Sequence, residues 1–399
     1  MTVRALARVN VAAIERNVAR LRRELAPGTA LCAVVKADGY GHGALASARA
    51  ALAGGAMWLA VVSAQEARAL RDGGIDAPVL VMGALSPEEL DLALAAAADV
   101  VAWDERFVAA VAVRGGGAVH VKLDTGMGRL GTRDPAQATR VAEAAATAQG
   151  VRLAGAMTHF ATADDRGDAF MAQQLERFVA WVTPLRAAHP GLLVHAANSA
   201  ATLRDPATHF DLVRTGVAIY GLDPFGEDPA ARDLEPALEL CSYVGAAKAI
   251  GVGESAGYGR RFVAATPTHL ATLPIGYGDG VRRALTNNAE VLVRGARRAL
   301  VGTVSMDNVT VDVGTPPAAA TGDEAVLIGP QGDERITAEE VARRLDTINY
   351  EVTCGLTARV PRAYHRDGAP VVQERGPAGT DDDATAAAVM SRAASGSAP

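Results

Sequence analysis

Hydrophobic and polar positions change period twice along the chain. Behind Asn10, a residue type suited to a helix N-cap, Ile14, Val18 and Leu21 recur at helical spacing. Short continuous apolar runs follow at 31–35, 57–62, 78–82, 100–103, 119–123, 152–158, 192–197 and 211–217, separated by helix-like stretches such as 66–71, 87–96, 137–148 and 170–188. Eight β runs alternating with helices predict an α/β architecture, a (β/α)8 TIM barrel, rather than an open sheet. Past residue 223 the pattern changes. The segment 223–236 is rich in Asp, Pro, Glu and Gly and reads as a linker. Beyond it, β-type runs at 241–250, 270–275, 290–293, 298–304, 309–313 and 325–328 are interrupted by one helix at 338–345. The expected organisation is a barrel domain over 1–235, a mostly β domain over 236–366, and a tail over 367–399 with too little apolar surface to offset its ordering entropy.

Composition narrows the function classes. The chain is 49% hydrophobic and 21% charged, with a net charge of −6 and no extended block of one sign, which gives no electrostatic reason to expect nucleic acid or an anionic membrane as partner. Cys32, Cys241 and Cys354 lie far apart in apolar stretches and read as buried free thiols of a reducing compartment. Residues 1–16 mix charges with apolar residues, unlike a signal peptide or anchor, so a cytoplasmic location is expected. Histidine and cysteine spacings show no C-x-x-C or H-E-x-x-H pattern, and no metal site is expected.

In a barrel the chemistry lies where the strands end. The first run ends in Val35-Lys36-Ala37-Asp38-Gly39-Tyr40-Gly41-His42-Gly43. A lysine directly after a buried strand is desolvated, which lowers its pKa and suits an amine that attacks an aldehyde; by spacing alone Lys36 reads equally as a surface lysine. The segment Gly126-Met127-Gly128-Arg129-Leu130-Gly131 satisfies G-x-G-x-x-G, but it follows the fifth run rather than opening the fold, which argues against a dinucleotide site. Barrels often hold a phosphate with the loops after strands seven and eight, here Asn198-Ser199-Ala200 and Arg214-Thr215-Gly216-Val217. Taken alone, His159 and His195 read as satisfied core histidines.

The Lys36 segment resembles the cofactor-lysine motif of the alanine racemases, and the similarity continues in order from about Arg8 to Tyr364. The resemblance implies pyridoxal 5'-phosphate carried as a Schiff base on Lys36. It assigns Ser199, Gly216, Val217 and Tyr350 to the phosphate, with Tyr40 near the cofactor and His159 beside the ring. Arg214 would face the pyridine nitrogen; a guanidinium only donates there, leaving the ring unprotonated and a weaker electron sink.

Racemisation needs a second acid/base opposite the lysine. Tyr258, in Ser255-Ala256-Gly257-Tyr258-Gly259, matches the family's catalytic tyrosine, implied to reach the barrel of another subunit and so to require a homodimer. Arg129 is implied to bind the substrate carboxylate, with Lys122 either carbamylated to hold it or unmodified. Met306 and Asp307 match a segment contacting the same carboxylate, and Tyr277 one that lines the entrance. The expected activity is interconversion of L- and D-alanine, with a peptidoglycan supply role implied by the family. A racemase of a larger amino acid, serine or lysine, and a non-enzymatic pyridoxal-phosphate-binding protein are the alternatives.

Overall fold

A computed structural model describes residues 3–371. The chain divides into two compact units, one of residues 14–40 and 44–219, the other of residues up to 13, 41–43 and from 220 onward.

The first unit is a closed parallel barrel. Counting Ala5–Asn10 as β1, its strands are β2 (Ala30–Val34), β3 (Trp58–Val61), β4 (Val79–Val81), β5 (Asp99–Ala102), β6 (Gly117–Lys122), β7 (Val151–Met157), β8 (Leu193–His195) and β9 (Leu212–Thr215). Each overlaps one of the eight predicted runs, four of them starting one or two residues earlier, because strands buried on both faces need continuous apolar sequence. β2 closes the barrel against β9, with Cys32 opposite Arg214 and Ala33 opposite Thr215. That register sets the Lys36 end of β2 beside the Thr215-Gly216 end of β9. The helices start where sequence chemistry stops the strands: Ser63 and Ser86 each form a capping box, with Glu66 and Glu89, at the heads of Ala64–Asp72 and Pro87–Ala95.

The second unit is mostly β. Its strands are β10 (Leu238–Tyr243), β11 (Ala246–Ile250), β12 (Ser255–Ala256), β13 (Phe262–Val263), β14 (Thr268–Leu273), β15 (Ala289–Val293), β16 (Ala296–Leu300), β17 (Val309–Asp312), β18 (Glu324–Gln331), β19 (Glu334–Ile336), β20 (Arg362–Arg366) and β21 (Ala369–Pro370). The main sheet runs β11-β14-β17-β16-β15-β18-β10-β1-β20-β21, with β19 on β18. Helix Ala338–Leu345 occupies its predicted span.

Several elements differ from the sequence expectation. β1 pairs antiparallel with β10 and parallel with β20. Its apolar run is split by Arg8, whose charge is met by Glu239 and Glu324, and that break hid the strand. The run expected at 241–250 is two strands, β10 and β11, parted at Val244-Gly245. The expected linker is knit together: buried Asp223 accepts from the Phe225 amide and pairs with Arg232, whose guanidinium lies 4.5 Å from the Phe225 ring centroid. Cys32 and Cys241 are buried as expected, whereas Cys354 is exposed at the end of the short helix Asn349–Cys354. Most of the expected tail lies outside the described residues.

Candidate active site

Backbone conformation marks the Lys36 segment. Ala37, Asp38, Gly39 and Tyr40 all have φ between 52° and 61°, a left-handed turn that costs non-glycine residues about 1–2 kcal/mol each. Specific contacts hold it. Glu66 Oε1 accepts from the Ala37 amide at 2.7 Å while its Oε2 accepts from Val62 and Ser63, and Asp38 Oδ1 accepts from the Ala44 amide at 2.8 Å. Glu66 thus caps one helix and braces the next turn, a role that its capping-box position alone does not reveal. Lys36 is half-buried at the head of this turn.

Beside it, Ser199 Oγ accepts from the Gly216 amide at 2.9 Å and the Ala218 amide at 3.4 Å, drawing the two loops after β8 and β9 together. Gly216 is needed for closeness, since a Cβ there would come within 2.9 Å of Cζ of Tyr40. Tyr40, Ser199 and Val217 are all buried. A cradle that only glycine fits, lined by hydroxyls and amides, is suited to a phosphate.

Arg214, 3% exposed, is the hub of the barrel mouth. Its Nη1 donates to His195 Nδ1 at 2.8 Å, and its Nη2 donates to the carbonyls of Thr158 and Ala196 and to His159 Nδ1 at 3.3 Å. Because a guanidinium only donates, Nδ1 of both histidines accepts and their protons sit on Nε2. Burial and the neighbouring Arg214 charge hold His159 and His195 well below the ordinary imidazole value, so both are neutral at pH 7.

Lys122, 4% exposed, ends β6, and burial followed by the charges of Arg214 and Arg129 lowers its ammonium to about 8. Arg129 itself is exposed. The carboxylate beside this group, Asp124, is already engaged by the amides of Gly126 and Gly128 and by Arg133. Lys36, Lys122, Arg129 and Arg214 therefore leave a surplus of positive charge at the mouth.

In the second unit, hydrogen bonds join the segments that carry Tyr258, Tyr277, Met306 and Asp307. Thr303 Oγ1 donates to the Tyr258 carbonyl at 2.6 Å, the Tyr277 amide donates to the Ser305 carbonyl at 3.0 Å, and the Gly278 amide to that of Met306 at 2.9 Å. Arg359 donates to Asp307 at 2.6 Å. Tyr258, Tyr277 and Met306 are 74%, 42% and 51% exposed, an unusual outlay of large side chains on a surface. Tyr350 is half-buried in the helix Asn349–Cys354, whose Asn349 Nδ2 donates to Glu339 Oε1 at 2.8 Å.

Among the described residues no helix is long and apolar enough to cross a membrane, and no three His, Cys, Asp or Glu side chains are grouped to hold a metal ion.

The family model described as "Alanine racemase, N-terminal domain" matches residues 9–224, and "Alanine racemase, C-terminal domain" matches 237–364. The chain is 42% identical to the alanine racemase of Symbiobacterium thermophilum, covering 90% of this chain and 96% of that protein. It is 39% identical to alanine racemase 1 of Bacillus subtilis, covering 93% and 95%. It is similar to the crystal structure of alanine racemase from D-cycloserine-producing Streptomyces lavendulae, with a TM-score of 0.86 and 37% identity over 92% of this chain and 98% of that one. With both domain models matched in order and near-complete coverage of its relatives, the chain belongs to the alanine racemase family.

Proposed function

We propose that the chain is a pyridoxal-phosphate-dependent alanine racemase that interconverts L- and D-alanine in the cytoplasm as a homodimer, supplying D-alanine for peptidoglycan. The observation that carries this reading is the barrel mouth, where Lys36, Arg129 and Arg214 lie with a glycine-floored hydroxyl cradle and the neighbouring carboxylate of Asp124 is already engaged. That surplus suits two anions, the phosphate of the cofactor and the carboxylate of the substrate. When bound, pyridoxal phosphate supplies the electron sink that makes the amino acid's Cα–H acidic.

The chain's own residues do the rest. The Lys36 Nζ secures the cofactor and moves a proton at one face of Cα. Tyr258 of a second copy moves it at the other, which accounts for a tyrosine left 74% exposed, with Tyr277 and Met306 exposed as well. His159, its Nδ1 committed to Arg214, has its N–H on Nε2 and donates it to the phenol oxygen, easing that group's loss of a proton. Ser199, Gly216, Val217, Tyr40 and Tyr350 hold the phosphate. Arg129 binds the substrate carboxylate, backed by Met306 and Asp307 of the second copy, and Tyr277 narrows the entrance. Lys122, with its ammonium lowered to about 8, is an amine able to add to carbon dioxide with loss of a proton to solvent, and the resulting carbamate would pair with Arg129.

L-alanine incubated with the protein and cofactor in deuterated water is expected to gain deuterium at Cα in both enantiomers, and the protein to show a borohydride-sensitive visible absorbance. Protein lacking both would overturn the reading.

A further inference from the structure

Behind Arg214 the polar contacts continue into the barrel. His195 Nε2 lies 2.8 Å from His120 Nδ1, and His120 Nε2 lies 3.1 Å from Asp99 Oδ2. His120 and His195 are fully buried, while Asp99 sits at the opposite strand ends, where its side chain is 13% exposed and Arg152 approaches to 3.7 Å. Four strands, β5, β6, β8 and β9, thus contribute one residue each to a line through the core.

The fold makes room for this line at a cost. A Cβ on Gly155 would stand 2.7 Å from His120 Cε1 and 2.7 Å from the Leu193 carbonyl, so the ring occupies space that any other residue in β7 would fill. The β6–β7 register also slips between Val119 and His120, a bulge that re-aims the side chain. Trp58 packs edge-on to the same ring at 6.0 Å.

We propose that Asp99 and His120, acting through His195, are positioning residues that fix the orientation and charge of Arg214; the catalytic consequence rests on the proposed racemase reading. Each junction runs one way only. Arg214 must donate to His195 Nδ1, so His195 donates from Nε2 to His120 Nδ1, and His120 donates from Nε2 to the Asp99 carboxylate. An imidazolium at His120 would set its Nδ1–H against the His195 Nε2–H, so both rings stay neutral. The aligned dipoles then turn acceptor ends toward the guanidinium and lead to a carboxylate, offsetting the burial of its charge.

Neutron diffraction of the deuterium-exchanged holoenzyme reads the proton positions whatever the enzyme's substrate. Deuterium on Nε2 and not Nδ1 of His195 and His120 is expected; a deuteron on Nδ1 of either ring overturns the proposal. In assays, Asp99→Leu is expected to lower kcat about tenfold with KM for alanine within about twofold and a shifted cofactor absorbance, and Asp99→Asn, which keeps an acceptor, to recover part of the loss. Native kcat and absorbance in Asp99→Leu would also overturn it. An inactive native enzyme would instead count against the racemase reading.

Discussion

The two units handle their functional side chains in opposite ways. In the barrel, Lys122, Ser199 and Arg214 are 3–4% exposed, and Ser199 and Arg214 are fixed by hydrogen bonds to their neighbours, so their geometry exists before any ligand arrives. In the β unit, Tyr258, Met306 and Tyr277 stand 42–74% exposed, held by backbone hydrogen bonds that leave their side chains to solvent. Changes in the barrel candidates should therefore bear on stability, while changes in the candidates of the β unit should have little effect on folding.

That contrast is open to attack in several ways. The largest expected effect is from Lys36→Ala, which should remove the visible cofactor absorbance and lower turnover by more than about 1,000-fold while circular dichroism is unchanged. Tyr258→Phe tests the β unit. Turnover starting from L-alanine should fall by about 100-fold or more, and more than from D-alanine, with unfolding free energy within about 0.5 kcal/mol of native because the side chain is exposed. A destabilisation of several kcal/mol would break the comparison.

Lys122 tests the barrel through pH. Its folded value of about 8 lies below the ordinary 10.5, so between those values the unfolded chain binds more protons and stability rises with pH. Urea unfolding in carbon-dioxide-free buffer should show a gain of up to roughly 3 kcal/mol from this group across that window. Lys122→Met should abolish the slope, and bicarbonate should flatten it in the native protein by converting the amine to a carbamate. The smallest effect is expected for Glu66→Gln, which keeps one acceptor for the Ala37 amide. A two- to fivefold loss of kcat, roughly 0.5–1 kcal/mol, should come with a melting temperature within about 2 °C of native.

The barrel was legible because its eight strands are buried on both faces and read as unbroken apolar runs. Lys36, Ser199 and Gly216 could be singled out as candidates for a related reason: they lie at or just past the ends of those runs. What stayed hidden is set by long-range partners. β1 carries Arg8 in mid-strand, and only Glu239 and Glu324, more than 200 residues away, neutralise it. Glu66 looks like any capping-box acid until the left-handed Ala37 appears beside it. His120 sits in an apolar run with no neighbour in sequence to mark it, and its partners Asp99, Gly155 and His195 come from three other strands. Cys354 looked buried from its apolar surroundings, but its helix is only six residues long and ends in solvent.

β1 carries a further consequence for synthesis. It leaves the ribosome well before its hydrogen-bonding partners β10 and β20, which begin at Leu238 and Arg362. The barrel strands, all encoded between them, find their partners within shorter reach, so the barrel is a complete insertion that matures while β1 waits unpaired. The β unit therefore closes after the barrel, and β1 stays an open edge until β10 has emerged.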